Sequence, residues 1–201
     1  MTSQEPPDLR DWSPGRDRDS VGPLLTDDEL MQASGSGDCR AFEVIVRRHQ
    51  QHAWAIAYRF LGCREEAEDI VQDTFMRVLR AASRYHPSAA FRTYLQRIVI
   101  RLCLDHAKRR RPVYTDELPD RADPANGVLD SLIEGERARG IHTALALLPA
   151  NQRMAIVLRY SENMSYRDIA DVMRITEKAT DRLLARGKAA LADSLSPWRE
   201  P

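Results

Sequence analysis

Apolar residues recur at three- and four-residue spacing through most of the chain, and no stretch alternates apolar and polar positions over a useful length. From Asp38, the residues Phe42, Ile45, Val46, Ile56, Ala57 and Phe60 mark one helical face, and Gly62 supplies a stop. A second helix is predicted from Arg64, with Glu65, Glu66 and Glu68 where acids suit the helix dipole. Its stripe is Ala67, Ile70, Val71, Phe75, Val78, Leu79 and Ala82, and Tyr85-His86-Pro87-Ser88 breaks it. A third helix carries Phe91, Tyr94, Leu95, Ile98, Leu102 and His106 and ends in Lys108-Arg109-Arg110-Arg111, just before Pro112. Ahead of these, Thr26 with Glu29 forms a capping box for a short helix that Gly35 and Gly37 end. Further helices are predicted over residues 137–148, 150–161, 166–173 and 177–194. Ser165 with Asp168 resembles a capping box, and Thr176 is a plausible N-cap. The last two helices, joined by a tight turn at Arg174-Ile175, have helix-turn-helix proportions. The expected fold class is all-α.

Two segments interrupt the pattern. Residues 1–25 hold Pro6, Pro7, Pro14, Gly15, Gly22 and Pro23 among acids and read as a disordered acidic arm. Residues 112–136, with Pro112, Pro119, Pro124 and Gly127, are too long a structureless stretch for the inside of a compact domain and read as a flexible linker. The chain of 201 residues thus divides into an arm, a helical domain over 26–111, the linker, and a second helical domain over 137–195. Its hydrophobic fraction of 43% is enough for a core in each. No run approaches the ~20 apolar residues of a membrane span, and the acidic N-terminus lacks the apolar core of a secretory signal. A cytoplasmic location is expected.

Charge alters this picture. Lys plus Arg number 30 and Asp plus Glu number 30, so the total is zero, which taken alone argues against nucleic acid. By segment the net charge is −6 over residues 1–38, +8 over 39–112, −5 over 113–138 and +3 over 139–201. The basic blocks fall on the two helical domains, and such blocks favour a polyanion. The cysteines Cys39, Cys63 and Cys103 are odd in number and widely spaced, as expected of reduced thiols. His49 and Cys39 match no zinc spacing, and no phosphate loop, nucleophile elbow or catalytic constellation is present. No cofactor or metal is expected, and no enzymatic activity.

Three segments carry candidate chemistry. On the last helix, Thr180, Leu184, Gly187 and Leu191 share the inner face, leaving Glu177, Lys178, Asp181, Arg182 and Arg186 outside. A recognition helix reads base edges with such N-terminal residues. By periodicity alone an ordinary amphipathic surface helix is the simpler reading. The third helix carries Arg97, Arg101, Lys108, Arg109, Arg110 and Arg111 against Asp105, with Tyr85, Phe91 and Tyr94 about its start. Cations beside aromatics suit unpaired bases. Phe91 also fits the core, and Tyr94 fits either role. On the second helix, Asp69, Gln72, Asp73 and Met76 share the side opposite the apolar stripe. That face suits a protein partner or plain solvent.

Read together, these segments resemble the extracytoplasmic-function (ECF) sigma factors of bacterial RNA polymerase. Ala67-Glu68-Asp69-Ile70-Val71-Gln72-Asp73-Thr74-Phe75 is similar to region 2.2 of that family. Phe91-Arg92-Thr93-Tyr94-Leu95-Gln96-Arg97-Ile98, continuing to Asp105-His106-Ala107-Lys108-Arg109-Arg110-Arg111, is similar to regions 2.3 and 2.4. Leu148-Pro149-Ala150-Asn151-Gln152-Arg153, Leu158-Arg159-Tyr160 and Met164-Ser165-Tyr166-Arg167-Asp168-Ile169-Ala170 are similar to region 4.

The resemblance implies a sigma-2 domain, a sigma-4 domain and a transcription initiation factor that directs core RNA polymerase to promoters and helps melt them. It implies that Asp69, Gln72, Asp73 and Met76 dock on the clamp helices of the β′ subunit. It assigns Tyr85, Ser88, Arg92, Tyr94, Arg97, Arg101, Lys108, Arg109 and Arg110 to the −10 element, with a flipped-out base held near Tyr85–Ala90. It assigns Arg167, Glu177, Lys178, Asp181, Arg182 and Arg186 to the −35 element, and the apolar surface of sigma-4 to the β flap. An anti-sigma factor, often membrane-anchored in this family, is the implied inhibitor. The alternative is a helix-turn-helix regulator that acts without polymerase and has no use for the 2.2-like face. The chain departs from the family pattern at Tyr94, where Trp is usual, at Arg174, where Gly is common, and at Lys178-Ala179-Thr180, which replaces a frequent Gly-Thr-Val. The −35 preference is therefore not carried over. Two turns of DNA span roughly 70 Å. Residues 112–136 reach roughly 80 Å when extended but only about 25–30 Å as a free coil. The linker thus bridges the two elements only when stretched, and the domains of the free chain are expected closer together.

Overall fold

The computed structural model describes residues 25–109 and 140–195, and all its regular structure is helical. Helix α1 spans Asp27–Gly35, α2 Cys39–Leu61, α3 Arg64–Ala81 and α4 Phe91–Arg109. A helical segment over 140–146, α5, precedes α6 (Ala150–Tyr160), α7 (Tyr166–Met173) and α8 (Glu177–Ser194). The arm up to residue 24, the linker at 112–136, the start of the helix expected at 137, and Arg110 and Arg111 lie outside the described residues.

Local chemistry sets these boundaries. Thr26 accepts from the Glu29 amide at 3.3 Å, and the Glu29 carboxylate accepts from the Thr26 amide at 2.7 Å, closing the capping box. Asp38 caps α2 by accepting from the amides of Arg40 and Ala41 at 2.9 and 3.1 Å. Gly62, at φ 74°, ends α2 in the left-handed conformation that a side chain would strain. Ser165 and Asp168 form the second capping box, and Thr176 caps α8 by accepting from the Ala179 amide at 3.2 Å. A short 3-10 turn, Ala82–Arg84, ends α3 and feeds the loop to α4.

Helices α1–α4 bury Met31, Ile45, Ile56, Phe60, Val78, Leu95, Ile100 and Leu102, and α6–α8 bury Met154, Leu158, Ile169 and Leu184. These form one connected apolar cluster, so the two halves pack directly on each other through α2 and α4 against α6 and α7. The α3 stripe is narrower than its sequence predicts. Leu79 is 38% exposed and Val71 is only half-buried, because each follows a buried residue by one position, about 100° further round the helix. Polar Thr74 takes an inner place instead, its hydroxyl donating to the Ile70 carbonyl at 2.7 Å.

Candidate nucleic-acid and partner interfaces

On α3, Asp69, Gln72 and Asp73 are exposed and Met76 is half-buried. Gln72 and Met76 line an open groove of about 760 Å³ between α3 and α2, walled on the α2 side by Phe42, Val46 and Trp54. Phe42 and Phe75 meet edge-on at 6.4 Å, and Trp54 stacks on Tyr58 at 4.7 Å. The groove therefore has an apolar floor and a polar rim, the composition of a protein-docking surface. Asp69 and Asp73 do not line it. The α2 wall escaped the sequence reading, since Phe42 and Val46 there count as core.

The loop between α3 and α4 borders a pocket of about 500 Å³ lined by Arg77, Arg80, Arg84, Tyr85, Ser88 and Tyr94, among others. Tyr85, Phe91 and Tyr94 form an aromatic cluster, with centroids 5.5 Å apart for Tyr85–Tyr94 and 6.1 Å for Phe91–Tyr94. Phe91 is buried, whereas Tyr94 is half-buried and faces the pocket. Burial, then the bond to Asp28, pushes the Tyr85 hydroxyl well above its ordinary pKa, and burial raises that of Tyr94, so both stay neutral phenols. Arg77, Arg80 and Arg84 were missed as candidates. Their spacing of three and four residues puts them on one face, a signal that was legible.

Two of the expected −10 residues face the second half of the chain. Arg97 donates to Asp171 of α7 at 2.6 Å. Arg92 stands 4.0 Å from Glu162, in the α6–α7 loop. The Glu162 side chain is only 6% exposed and also accepts from Arg59 at 2.9 Å. Gln96, buried, donates its amide to His52 Nε2 at 3.0 Å, which leaves Nδ1 of His52 to face Glu162 at 3.4 Å. Burial lowers the pKa of His52 more than Glu162 raises it. Arg153 of α6 reaches back to the Phe60 carbonyl at 3.1 Å, its guanidinium 5.2 Å from the Phe60 ring, and burial lowers its pKa. Nothing in the sequence marks Glu162 or Asp171 as partners of α2 and α4, because those pairings span about a hundred residues or fewer of chain and exist only in the fold. Further along α4, Arg101 and Lys108 each lie 3.8 Å from Asp105, and Arg109 is exposed. These cations remain on the surface.

In the helix-turn-helix, Thr180, Leu184 and Gly187 are buried, and Leu191 is half-buried. Glu177, Lys178, Asp181, Arg182 and Arg186 stand exposed on the outer face of α8, and Arg167 is exposed on α7. Arg174 makes the turn at φ 56°, in the left-handed region. The Thr180 hydroxyl donates to the Thr176 carbonyl at 3.3 Å, which answers its polarity within the core. Among the described residues no group of side chains is suited to hold a metal ion.

The family model described as sigma-70 region 2 matches residues 45–113, and that described as sigma-70 region 4 matches residues 138–191. The RNA polymerase sigma-H factor of Pseudomonas aeruginosa is 31% identical over 182 residues, covering 85% of this chain and 94% of that protein. The ECF RNA polymerase sigma factor SigM of Mycobacterium tuberculosis is 32% identical over 167 residues, covering 83% of each. Among solved structures, CnrH in complex with the cytosolic domain of CnrY superposes with a TM-score of 0.62 at 28% identity, over 85% of this chain and 97% of that one. The groove and the basic aromatic pocket thus lie in the part matched as region 2 and the helix-turn-helix in the part matched as region 4, and the chain belongs to the ECF sigma factors of the sigma-70 family.

Proposed function

We propose that this sigma factor docks core RNA polymerase with the α2–α3 groove, captures the opened −10 strand at the loop before α4, and reads the −35 element with α8. The observation that carries this is that one helix, α3, lines both the groove and the pocket. Gln72 and Met76 line the groove, and Arg77, one position on, lines the pocket. A single rigid element then links polymerase docking to strand capture. Asp69, Gln72, Asp73 and Met76 meet the clamp helices of β′, with Phe42, Val46 and Trp54 completing the surface. Tyr94 and Tyr85 offer ring faces to an unstacked base, while Ser88, Arg77, Arg80 and Arg84 offer donors to its phosphates. Arg92, Arg97, Arg101, Lys108, Arg109 and Arg110 follow the strand beyond. Glu177, Lys178, Asp181, Arg182 and Arg186 enter the −35 major groove, with Arg167 on the flanking backbone. The apolar surface of sigma-4 meets the β flap. Binding energy melts the promoter, and the chain acts as an initiation factor rather than a catalyst.

In the packed arrangement α8 is open while Arg92 and Arg97 are engaged by acids of sigma-4. The free chain is accordingly closed, and polymerase separates the halves by stretching the linker. An anti-sigma factor holds the chain inactive, and the likeness to CnrH, solved in complex with the cytosolic domain of CnrY, supports a bound protein partner. The site of action is the cytoplasm, where the polymerase works. No described helix is long and apolar enough to cross a membrane.

The test is in vitro transcription with core polymerase on a randomised promoter library. Core-dependent transcripts sharing −10 and −35 sequences are expected. Duplex promoter binding by the chain alone, with core affinity untouched by substituting Asp69 and Gln72, would instead favour a regulator that works without polymerase.

A further inference from the structure

The first turn of α1 carries Asp27, Asp28 and Glu29, which suit the positive end of the helix dipole. Only Glu29 is used in the capping box. Asp28 engages the loop between α3 and α4 directly, and Asp27 reaches its far end through His49 of α2. At the start of the loop, the Tyr85 hydroxyl donates to Asp28 Oδ1 at 2.6 Å. At its finish, Asp27 Oδ2 lies 2.8 Å from His49 Nε2, and the His49 ring packs on Phe91 with centroids 5.0 Å apart. Asp27 also accepts from Arg48 at 3.1 Å, which fixes it to α2.

The far end of α1 is pressed against the same segment. A Cβ on Gly35 would stand 2.5 Å from the Ala82 carbonyl oxygen and 2.9 Å from its carbon, so α1 backbone lies directly against the 3-10 turn that opens the loop. A helix of nine residues thus touches the loop at its entry, at its first aromatic residue and, through His49, at its exit.

From this juxtaposition we infer that α1 is a brace for the −10 loop and that Asp28 is a positioning residue, which holds the Tyr85 ring in the wall of the arginine-lined pocket. The inference rests on the proposed role of that loop in strand capture. Tyr85 has two soft side-chain torsions, and without a partner its hydroxyl would let the ring swing into the pocket or out to solvent. The bond to Asp28 leaves the ring edge against Tyr94 and Phe91 and keeps the pocket open. The gain appears only when the pocket is filled, so it belongs to strand capture and not to polymerase docking, which uses the groove on the other side of α3.

The test uses holoenzyme assembled from the full chain and core polymerase, on a promoter drawn from the library selection. Three quantities are read: core affinity, thermal unfolding of the free chain, and open-complex lifetime after competitor challenge. Asp28→Ala is expected to shorten the lifetime roughly three- to tenfold, the range for the net worth of one ordinary intramolecular hydrogen bond. Core affinity should not change. Asp28→Asn keeps a carbonyl oxygen for the phenol and should restore most of the lifetime. Tyr85→Phe should match Asp28→Ala, and the double variant should be no worse than either, since both remove the same bond. Additive losses, or a normal lifetime for Asp28→Ala when Tyr85→Ala is impaired, overturn the inference alone. A normal lifetime for Tyr85→Ala overturns the reading of the loop, and the brace with it.

Discussion

Among the described residues other than glycine, Asn163 and Arg174 have positive φ, and Arg174 is the one whose side chain is not suited to it. Its φ of 56° and ψ of 48° place an L side chain in the left-handed region, where Cβ crowds the following carbonyl. The turn is held because its own amide and that of Ile175 donate back to α7 carbonyls, at 3.3 and 2.9 Å. Arg174→Gly removes the crowding, worth about 1–2 kcal/mol, and adds back about 0.5–1 kcal/mol of chain entropy. A net stabilisation of about 0.5 kcal/mol is expected, read from the midpoint of denaturant unfolding. Gly187 is the opposite case. A Cβ there would meet Ile156 Cγ1 at 2.9 Å, so the Ile156 side chain would have to shift to admit it. Gly187→Ala gains about 1 kcal/mol in helix propensity but overpacks the contact by about 1–3 kcal/mol. The expected outcome is a loss of stability in the same assay.

At the scale of elements, α3 and α8 divide the work in the proposed function. Each presents an inner stripe to its domain and leaves an outer face exposed, and the outer faces differ in chemistry. The α3 face shares an apolar floor with α2, so truncation there should act on polymerase affinity. Trp54→Ala, together with Met76→Ala, is expected to weaken core binding severalfold and leave −35 recognition alone, measured by competition between labelled and unlabelled chain for core. The α8 face is charged. Arg182→Ala in holoenzyme should cost about 1–3 kcal/mol if Arg182 pairs with a base, with relaxed preference at one −35 position. If it meets phosphate alone, binding weakens uniformly and its salt dependence falls by about one unit of slope. Both outcomes are separated by a panel of single-base promoter variants.

The whole molecule is held closed by a small polar seam within an apolar interface. Glu162, nearly buried, faces Arg59, His52 and Arg92, and Asp171 takes Arg97. Glu162→Ala removes the carboxylate that Arg59 and Arg92 of one half share with the other and should open the chain, seen as a loss of fluorescence transfer between labels on α2 and α8. It should also raise the affinity of the free chain for a single-stranded −10 oligonucleotide. Proton uptake gives the same result by another route. Burial lowers the pKa of His52, beside Glu162, Arg92, His49 and Arg59, and burial lowers that of His142, which packs on Tyr58. Apart, both rings regain solvent and their pKa values rise back toward the usual ~6.5. The separated halves therefore bind more protons just below that value, so closure is fully favoured above it and weakens as pH falls. Energy transfer should drop between about pH 7.5 and about pH 5.5, with α-helical signal retained.

Periodicity, caps and glycines were enough to place the described helices to within a residue or two, because those signals act within one or two turns of chain. The capping boxes at Thr26 and Ser165, the stop at Gly62 and the outer face of α8 are all local in this sense. The departures at Val71, Leu79 and Thr74 are local too, and arise because a helical stripe is set by angle rather than by hydrophobicity alone. What lay beyond reach joins residues distant in sequence. The α2 wall of the groove, the Asp28–Tyr85 bond and the Glu162 seam each need two elements brought together by packing. Sequence by itself determined the helices, the two charged blocks and the family. Only the tertiary structure decided that Arg92 and Arg97 turn toward sigma-4, since a cation pairs with a carboxylate that packing brings within reach, and that proximity is a property of the fold.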